Sequence, residues 1–352
     1  MSFLRGWRYL PLSLMAVGAL VAFAACGGDD GGDAGGEESP GATEAPTGGR
    51  IDGGDLTVQS VEFATLDPHF SSFAQDISLH RMLWRGLYTL DIDNAPQPSM
   101  AASEPEISAD GLTYTVALKD GLQWSDGDDL LAEDFVAGII RTCNPVNAGE
   151  YQYVLTEIVG CDDYYGADPA ADDLATLEAA VGVRAVDDLT VEFTLSTEKP
   201  TFPIILSLWM TFPVPVHLDR FANATPDAPG DWGTDPTALA YNGPYILTSY
   251  TAQQSVELAP NPNWAAPAGV SPTLDTLTIR FIDDLAQAAN AYRTGELSST
   301  DVDLTQLETL QTEFGVDEEY FKFLAPSTRG LEMNLEKPPL DNPDVRVALS
   351  KA

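Results

Sequence analysis

Between Ile107 and Phe135 the chain reads ISADGLTYTVALKDGLQWSDGDDLLAEDF, and few folds accommodate that stretch. Leu112, Tyr114, Val116 and Leu118 alternate with Thr113, Thr115, Ala117 and Lys119, which gives one apolar and one polar face, the period of a half-buried strand. Asp110-Gly111 opens this strand and Asp120-Gly121 closes it. A second short strand is expected at Leu122 and Trp124, a turn at Ser125-Asp126-Gly127 and a helix from Glu133 to Thr142. Strand, turn, strand, turn, helix is the order of a mixed α/β domain.

The rest of the chain extends that pattern. A first strand is read at Leu56 to Phe63, broken by Thr65-Leu66-Asp67-Pro68 because the residue before proline avoids the helical region. A helix is read at Ile77 to Leu90 and another at Asp172 to Ala180, with Leu174 and Leu177 inward. Val183 to Val186 and Leu189 to Leu195 read as a hairpin turning at Asp187-Asp188, and Tyr245 to Tyr250 with Val256 to Leu258 as a second. Leu277, Ile279 and Phe281 mark a strand, followed by a helix capped by Asp283 and stopped at Gly295, then a short strand at Asp301 to Asp303. Thr305 and Glu308 read as a capping box, and Asp344 to Ala352 as the opening turns of a helix.

Charge narrows the partners. With 54 Asp and Glu against 17 Lys and Arg, the net charge of −37 excludes nucleic acid, whose phosphates would be repelled. The acids are spread along the whole chain, as on a solvated surface. There is no GxSxG, HExxH, Gly-rich phosphate loop or CxxC pair, and the three histidines, His69, His80 and His217, lie far apart in sequence. No catalytic residue, metal ligand or cofactor is therefore assigned, which points to a non-enzymatic receptor, with a secreted hydrolase using paired acids as the alternative from another class.

The first residues read as an address. Arg5 and Arg8 precede an apolar run from Leu10 to Ala25, and Phe23-Ala24-Ala25-Cys26 resembles a lipobox. Residues 1–25 are read as a lipoprotein signal peptide, Cys26 as the lipid-bearing residue, and 26–50 as the anchor and a flexible acidic linker rich in Gly, Asp, Glu, Ser and Pro. An uncleaved anchor is the alternative, although a spanning helix needs about 20 apolar residues. The expected location is the cell envelope, on the outer face of the cytoplasmic membrane or in the periplasm. Cys143 and Cys161 then form an even pair in an oxidising compartment, read as a disulfide, with two free thiols as the alternative.

The stretch at 107–135, with TLDPH at 65–69, NGPY at 242–245, NPNW at 261–264 and KPPLDNPDVRVALS at 337–350, resembles the bacterial extracellular solute-binding family 5, the peptide-binding lipoproteins of ABC importers. The family phrase runs approximately DGxTYTFxLRxGxKWSDGxPxTAxDF. Here Leu131 replaces the threonine that would cap the helix, and Asp128-Asp129 replaces an apolar or proline pair. The lost cap oxygen costs about 1 kcal/mol and predicts a looser helix start.

The resemblance covers Gly53 onward and implies an α/β, periplasmic-binding-protein-like two-lobed fold of class II. Domain I would comprise 51–75 and 213–326 and domain II 76–212, with 327–352 beginning a third domain that is largely missing, because family chains run on well beyond this phrase. It further implies a monomeric receptor, not an enzyme, that captures a peptide between its lobes and delivers it to ABC permease and ATPase subunits. Nickel chelates and oligosaccharides remain alternative solutes.

By the same resemblance Glu62, Phe63 and Ala64 stand where a strand edge meets ligand backbone, with Glu62 accepting from a ligand amine or amide or simply solvated. Tyr151 and Tyr153 stand where aromatic walls occur, or are packing residues. Where peptide binders carry aromatics near the third domain, Leu324 to Gly330 brings Arg329, which meets a ligand carboxylate or offsets local acidity.

Overall fold

The structure, a computed structural model, describes residues 53–218, 239–264, 271–316, 319–321 and 332–351. The signal peptide, Cys26, the linker and Leu324 to Gly330 with Arg329 lie outside the described residues. No helix among the described residues is long and apolar enough to cross a membrane.

Two four-stranded sheets carry the architecture. In the first, β1 (Asp55–Ser60) pairs in parallel with β10 (Thr276–Phe281), which continues antiparallel through β9 (Ser255–Pro260) to β8 (Tyr245–Thr251). Leu56 and Val58 stand opposite Leu277 and Ile279, so the apolar positions of two distant segments share one face. In the second sheet the order is β4 (Glu106–Ile107), β5 (Thr113–Ala117), β7 (Thr190–Thr194) and β6 (Val183–Asp187), all antiparallel. Tyr114, Val116 and Leu118 are buried, as the alternation requires. A small hairpin joins β2 (Tyr88–Leu90) to β3 (Pro96–Pro98).

Helix α2 (Ala132–Cys143) starts without a side-chain oxygen at Leu131. Asp134 supplies the other half of a capping box, accepting from the Leu131 N–H at 2.8 Å. The same carboxylate accepts from the Trp124 indole at 3.2 Å and the Val216 N–H at 3.1 Å, which ties the helix start to the returning chain. Its far end carries Cys143, disulfide-bonded to Cys161 at the start of α3 (Cys161–Tyr165), with 5.2 Å between Cα atoms and both residues fully buried.

Several sequence-derived boundaries move. β1 stops at Ser60 rather than Phe63, because its last register partner is Phe281 and Ile282 then donates to the Ser60 carbonyl. The first helix, α1, is Ala74–Leu83 and does not reach Leu90. Trp84 is extended, and Asn242 holds Arg85 from both sides, accepting from its N–H at 3.1 Å and donating to its carbonyl at 2.9 Å. The Leu122–Trp124 strand reduces to one bridge between Gln123 and Asp129, although both predicted residues are buried. Asp284, not Asp283, caps the helix Leu285–Arg293. The strand expected at Asp301 to Asp303 is instead a single parallel bridge, Ser299 to Val58 on the free edge of β1. Thr305 caps nothing; Asp303 accepts from its N–H at 2.8 Å ahead of the helix Leu307–Phe314.

Candidate functional site

The turn that leaves β1 is where the sequence placed the ligand, and residues 62–73 are held there from three directions. Asp76, fully buried in the first turn of α1, accepts from the N–H of Ala64 at 3.1 Å, the N–H of Thr65 at 3.3 Å and the hydroxyl of Ser71 at 3.2 Å. Burial raises its pKa, and those donors counter the rise. Four residues along α1, His80 meets the Thr65 carbonyl through Nε2 at 3.1 Å, and its burial drives its pKa down to about 4. A neutral ring with the proton on Nε2 fits that partner.

From the third direction, Asp67 caps the short helix Pro68–Phe70 and receives both Nη groups of Arg141 from α2. Burial alone would raise Asp67, but the Arg141 charge and hydrogen bonds, with the His69 backbone N–H at 3.0 Å, outweigh it and hold the carboxyl far below the usual range. His69, also buried, reaches the Phe212 carbonyl through Nε2 at 3.0 Å and takes an Arg141 N–H on Nδ1 at 2.9 Å. A turn fixed in this way has little freedom left to rearrange.

The five residues named from the sequence fall into two groups. Glu62 turns to the β8–β9 hairpin, where it accepts from the Tyr250 hydroxyl at 3.1 Å and from the Gln253 N–H at 2.8 Å. Burial, then the Glu62 charge and its hydrogen bond, push Tyr250 up to about 12. Phe63 is buried edge-on to Phe281, with ring centroids 5.4 Å apart. It also lines a depression of about 550 Å³ shared with Val61, Ala74 and Met82. Ala64 is exposed, but its N–H is engaged by Asp76.

Tyr151 packs edge-on against Trp209 at 4.7 Å, and Tyr153, 62 % exposed, lies 5.6 Å from Tyr151. Trp209 closes the gap between the groups by donating its indole N–H to the Ser71 carbonyl at 2.9 Å. The aromatic run Tyr153, Tyr151, Trp209 therefore ends on the loop that begins at Glu62. Sequence reasoning passed over Trp209 and Asp76, since one sits in an apolar run and the other is one acid among 54.

The histidines that looked isolated are not. His69 and His80 both serve the pinned turn, and His217 Nε2 lies 2.9 Å from Asp126 and 3.3 Å from Asp128. These three exposed side chains bring their ligand atoms within 4.8 Å of one another, a set of donors that suits a divalent cation. Both carboxylates already face the His217 imidazole.

The two sheets, one mixed and one antiparallel, with their helices are the fold of a class, the periplasmic-type binding proteins. Solved members superpose on the chain: the peptide-binding pheromone receptor PrgZ matches 84 % of it at a TM-score of 0.72 and 26 % identity, covering 56 % of PrgZ. An oligopeptide ABC transporter protein of Borrelia burgdorferi matches 84 % at a TM-score of 0.68 and 25 % identity, again over 56 % of its own chain.

The chain belongs to the bacterial extracellular solute-binding proteins, family 5, whose middle-region profile matches residues 95–352. This is a family of binding proteins, not of enzymes. Among curated relatives, the periplasmic oligopeptide-binding protein OppA of Escherichia coli is 29 % identical over 294 residues, 82 % of this chain and 50 % of OppA. A probable deoxycholate-binding periplasmic protein of the same organism is 29 % identical over 293 residues, 81 % of this chain and 50 % of that protein. The oligopeptide-binding protein SarA of Streptococcus gordonii is 33 % identical over 253 residues, 69 % of this chain and 35 % of SarA. The chain thus spans about half the length of the first two of these relatives and about a third of SarA.

Proposed function

We propose that this chain belongs to a lipid-anchored receptor that captures peptides outside the cell and delivers them to an ABC permease. Residues 51–75 with 213–326 act as domain I, 76–212 as domain II, and 327–352 as the beginning of domain III. Cys26 carries the lipid. The reading rests above all on one observation, the aromatic run from Tyr153 through Tyr151 to Trp209 that is hydrogen-bonded to the turn leaving β1. Tyr151 and Tyr153 offer apolar faces with polar tips to a peptide side chain. The turn from Glu62 to Ala64 borders the space the peptide backbone occupies, and closure of the lobes on bound peptide follows as a shift between open and closed populations.

The test is direct binding to a mixed peptide library, read by thermal shift and then by calorimetry with the peptides retained. Tyr151→Ala is expected to weaken peptide binding while leaving the unfolding temperature of the ligand-free protein within a few degrees of wild type. Equal affinity in the two proteins would remove the aromatic wall from the site. A bile-acid ligand is favoured by one relative, the probable deoxycholate-binding protein, so deoxycholate belongs in the same screen. Stabilisation by deoxycholate and by no peptide would replace the peptide reading. For the anchor, Cys26→Ser is expected to release the protein from membranes.

A further inference from the structure

Seven arginines lie among the described residues, and five of them have partners in place. Arg141 pairs with Asp67, Arg184 with Glu192, Arg280 with Glu296 and Arg293 with Glu313, while Arg346 donates to the Leu340 and Asp341 carbonyls. Arg81 and Arg85 are the exceptions: among the described residues neither guanidinium has a carboxylate or carbonyl partner. In a chain with 54 acids, two neighbouring arginines without an acidic partner among the described residues stand out.

The two do not simply wave in solvent. Both line a pocket of about 150 Å³ together with Tyr88, Thr89, Ser207 and Phe212. That volume equals several waters at about 30 Å³ each, enough for a tetrahedral oxyanion. Arg85 is half-buried, and its backbone is clamped on both sides by Asn242, so the base of its side chain is fixed. Desolvation lowers the pKa of both arginines, and the charge of Arg81 lowers Arg85 further. A helix C-terminus favours a cation and accounts for Arg81 in the last turn of α1, but Arg85 lies beyond the helix in extended chain. Gathering two cations into one concavity costs free energy unless an anion joins them.

We propose that Arg81 and Arg85 form a binding site for a phosphate-class oxyanion. Two planar guanidiniums offer forked N–H pairs to tetrahedral oxygens, and Thr89 lines the same pocket. The pocket shares none of its lining with the turn at 62–73, although the Phe212 carbonyl is bonded to His69 of that turn, and the proposal does not depend on the peptide reading. Its long-range field opposes it: a molecule of net charge −37 repels anions, so any saturable uptake has to come from local contacts. The same chemistry is offered by a free ion and by an anionic lipid headgroup.

The experiment has two arms on the full chain. Inorganic phosphate is titrated calorimetrically at ionic strength fixed with sodium chloride, and vesicles of phosphatidylglycerol or of phosphatidylcholine are co-sedimented with the protein. Wild type is expected to take up one phosphate per chain, with affinity at least tenfold lower in Arg85→Gln, reduced in Arg81→Gln and unchanged in Arg184→Gln. Sedimentation that depends on Arg81 and Arg85 and occurs only with phosphatidylglycerol assigns the headgroup, and phosphate uptake without it assigns the free ion. Arg81 is exposed, so Arg81→Gln remains informative if Arg85→Gln fails to fold. No uptake in either arm, or uptake that both variants retain in full, overturns the site.

Discussion

Asp67 and Arg141, 74 positions apart, meet as a buried bidentate pair with Oδ1 to Nη1 at 2.7 Å and Oδ2 to Nη2 at 2.6 Å. The guanidinium also lies over the Phe70 ring, 4.5 Å from its centroid. The pair fastens the turn after β1 to α2, so the shape of the candidate site depends on it. Removing one partner strands a buried charge. Asp67→Asn or Arg141→Met is expected to lower unfolding free energy by about 3–5 kcal/mol in urea titrations, whereas the double replacement Asp67→Leu with Arg141→Met should cost less than the sum. Additive losses would show that the two residues act independently.

Buried His80 gives the turn a pH dependence. Its pKa of about 4 when folded lies below the ordinary 6.5, so the unfolded chain binds more protons between those values. The associated stability is complete above pH 6.5 and is lost as pH falls toward 4, at up to about 1.4 kcal/mol per pH unit. Depressed His69 acts in the same direction. Asp76 and Asp134, both raised by burial, act oppositely and favour folding at low pH. A comparison isolates the histidine: the slope of unfolding free energy between pH 6.5 and 4.5 should be shallower in His80→Gln by close to one proton. Parallel slopes would exclude His80 as the titrating group.

Glu62 joins the turn to the β8–β9 hairpin through Tyr250 and through Gln253, a residue with φ of +59°. Left-handed backbone at a non-glycine residue is costly, and the Glu62 hydrogen bond holds it in place. Glu62→Ala is expected to cost about 1.5–3 kcal/mol of stability, as loss of hydrogen bonds to a charged group does. Glu62→Gln should move the Tyr250 phenol from about 12 toward 10 in an ultraviolet absorbance titration. A Tyr250 titration indifferent to the charge at position 62 would break the link.

The Cys143–Cys161 bond closes a loop across 18 positions and carries Tyr151 and Tyr153 within it. On the chain-entropy estimate such a crosslink contributes about 3 kcal/mol. Cys143→Ser with Cys161→Ser should therefore melt below wild type in air and match it more closely in reductant. A deficit of the same size with and without reductant would assign the loss to packing of the buried sulfurs.

What the sequence made legible was local. The alternation at 112–118 places Tyr114, Val116 and Leu118 in the core because a strand needs only its own period to choose a face. The helix at Glu133 to Thr142 was equally visible, within a residue at either end. Errors came where a distant residue decides. Leu83, Trp84 and Leu87 continue a helical spacing, yet Asn242, 157 positions from Arg85, turns the chain out of the helix. The candidate site fared likewise. Tyr151 and Tyr153 carried a local signal, but their connection to Trp209, and the clasp of Asp76 on Ala64 and Thr65, arise only from tertiary packing. Phe63 read as a strand-end residue facing ligand, and it packs on Phe281, 218 positions later in the chain, because β1 and β10 pair.

The NGPY phrase at 242–245 can be tested as a packing device. Gly243 donates its N–H to the Leu83 carbonyl at 2.9 Å, and a Cβ there would sit 2.5 Å from the Leu83 carbonyl carbon and 2.7 Å from the Met82 and Leu83 oxygens. Backbone atoms cannot give way as a side chain can, so Gly243→Ala has to push the entry to β8 off the end of α1. Overpacking of this kind costs about 1–3 kcal/mol, and the lost hydrogen bond adds to it. Asn242→Ala removes the acceptor and donor that hold Arg85 and leaves two part-buried backbone groups without their partner, for about 0.5–1.5 kcal/mol each. Both variants should lower the urea midpoint. Asn242→Ala should also speed amide exchange at Arg85, whereas Gly243→Ala should speed it most in β8. If exchange at Arg85 is unchanged in Asn242→Ala, the Asn242 clamp does not set where the first helix ends.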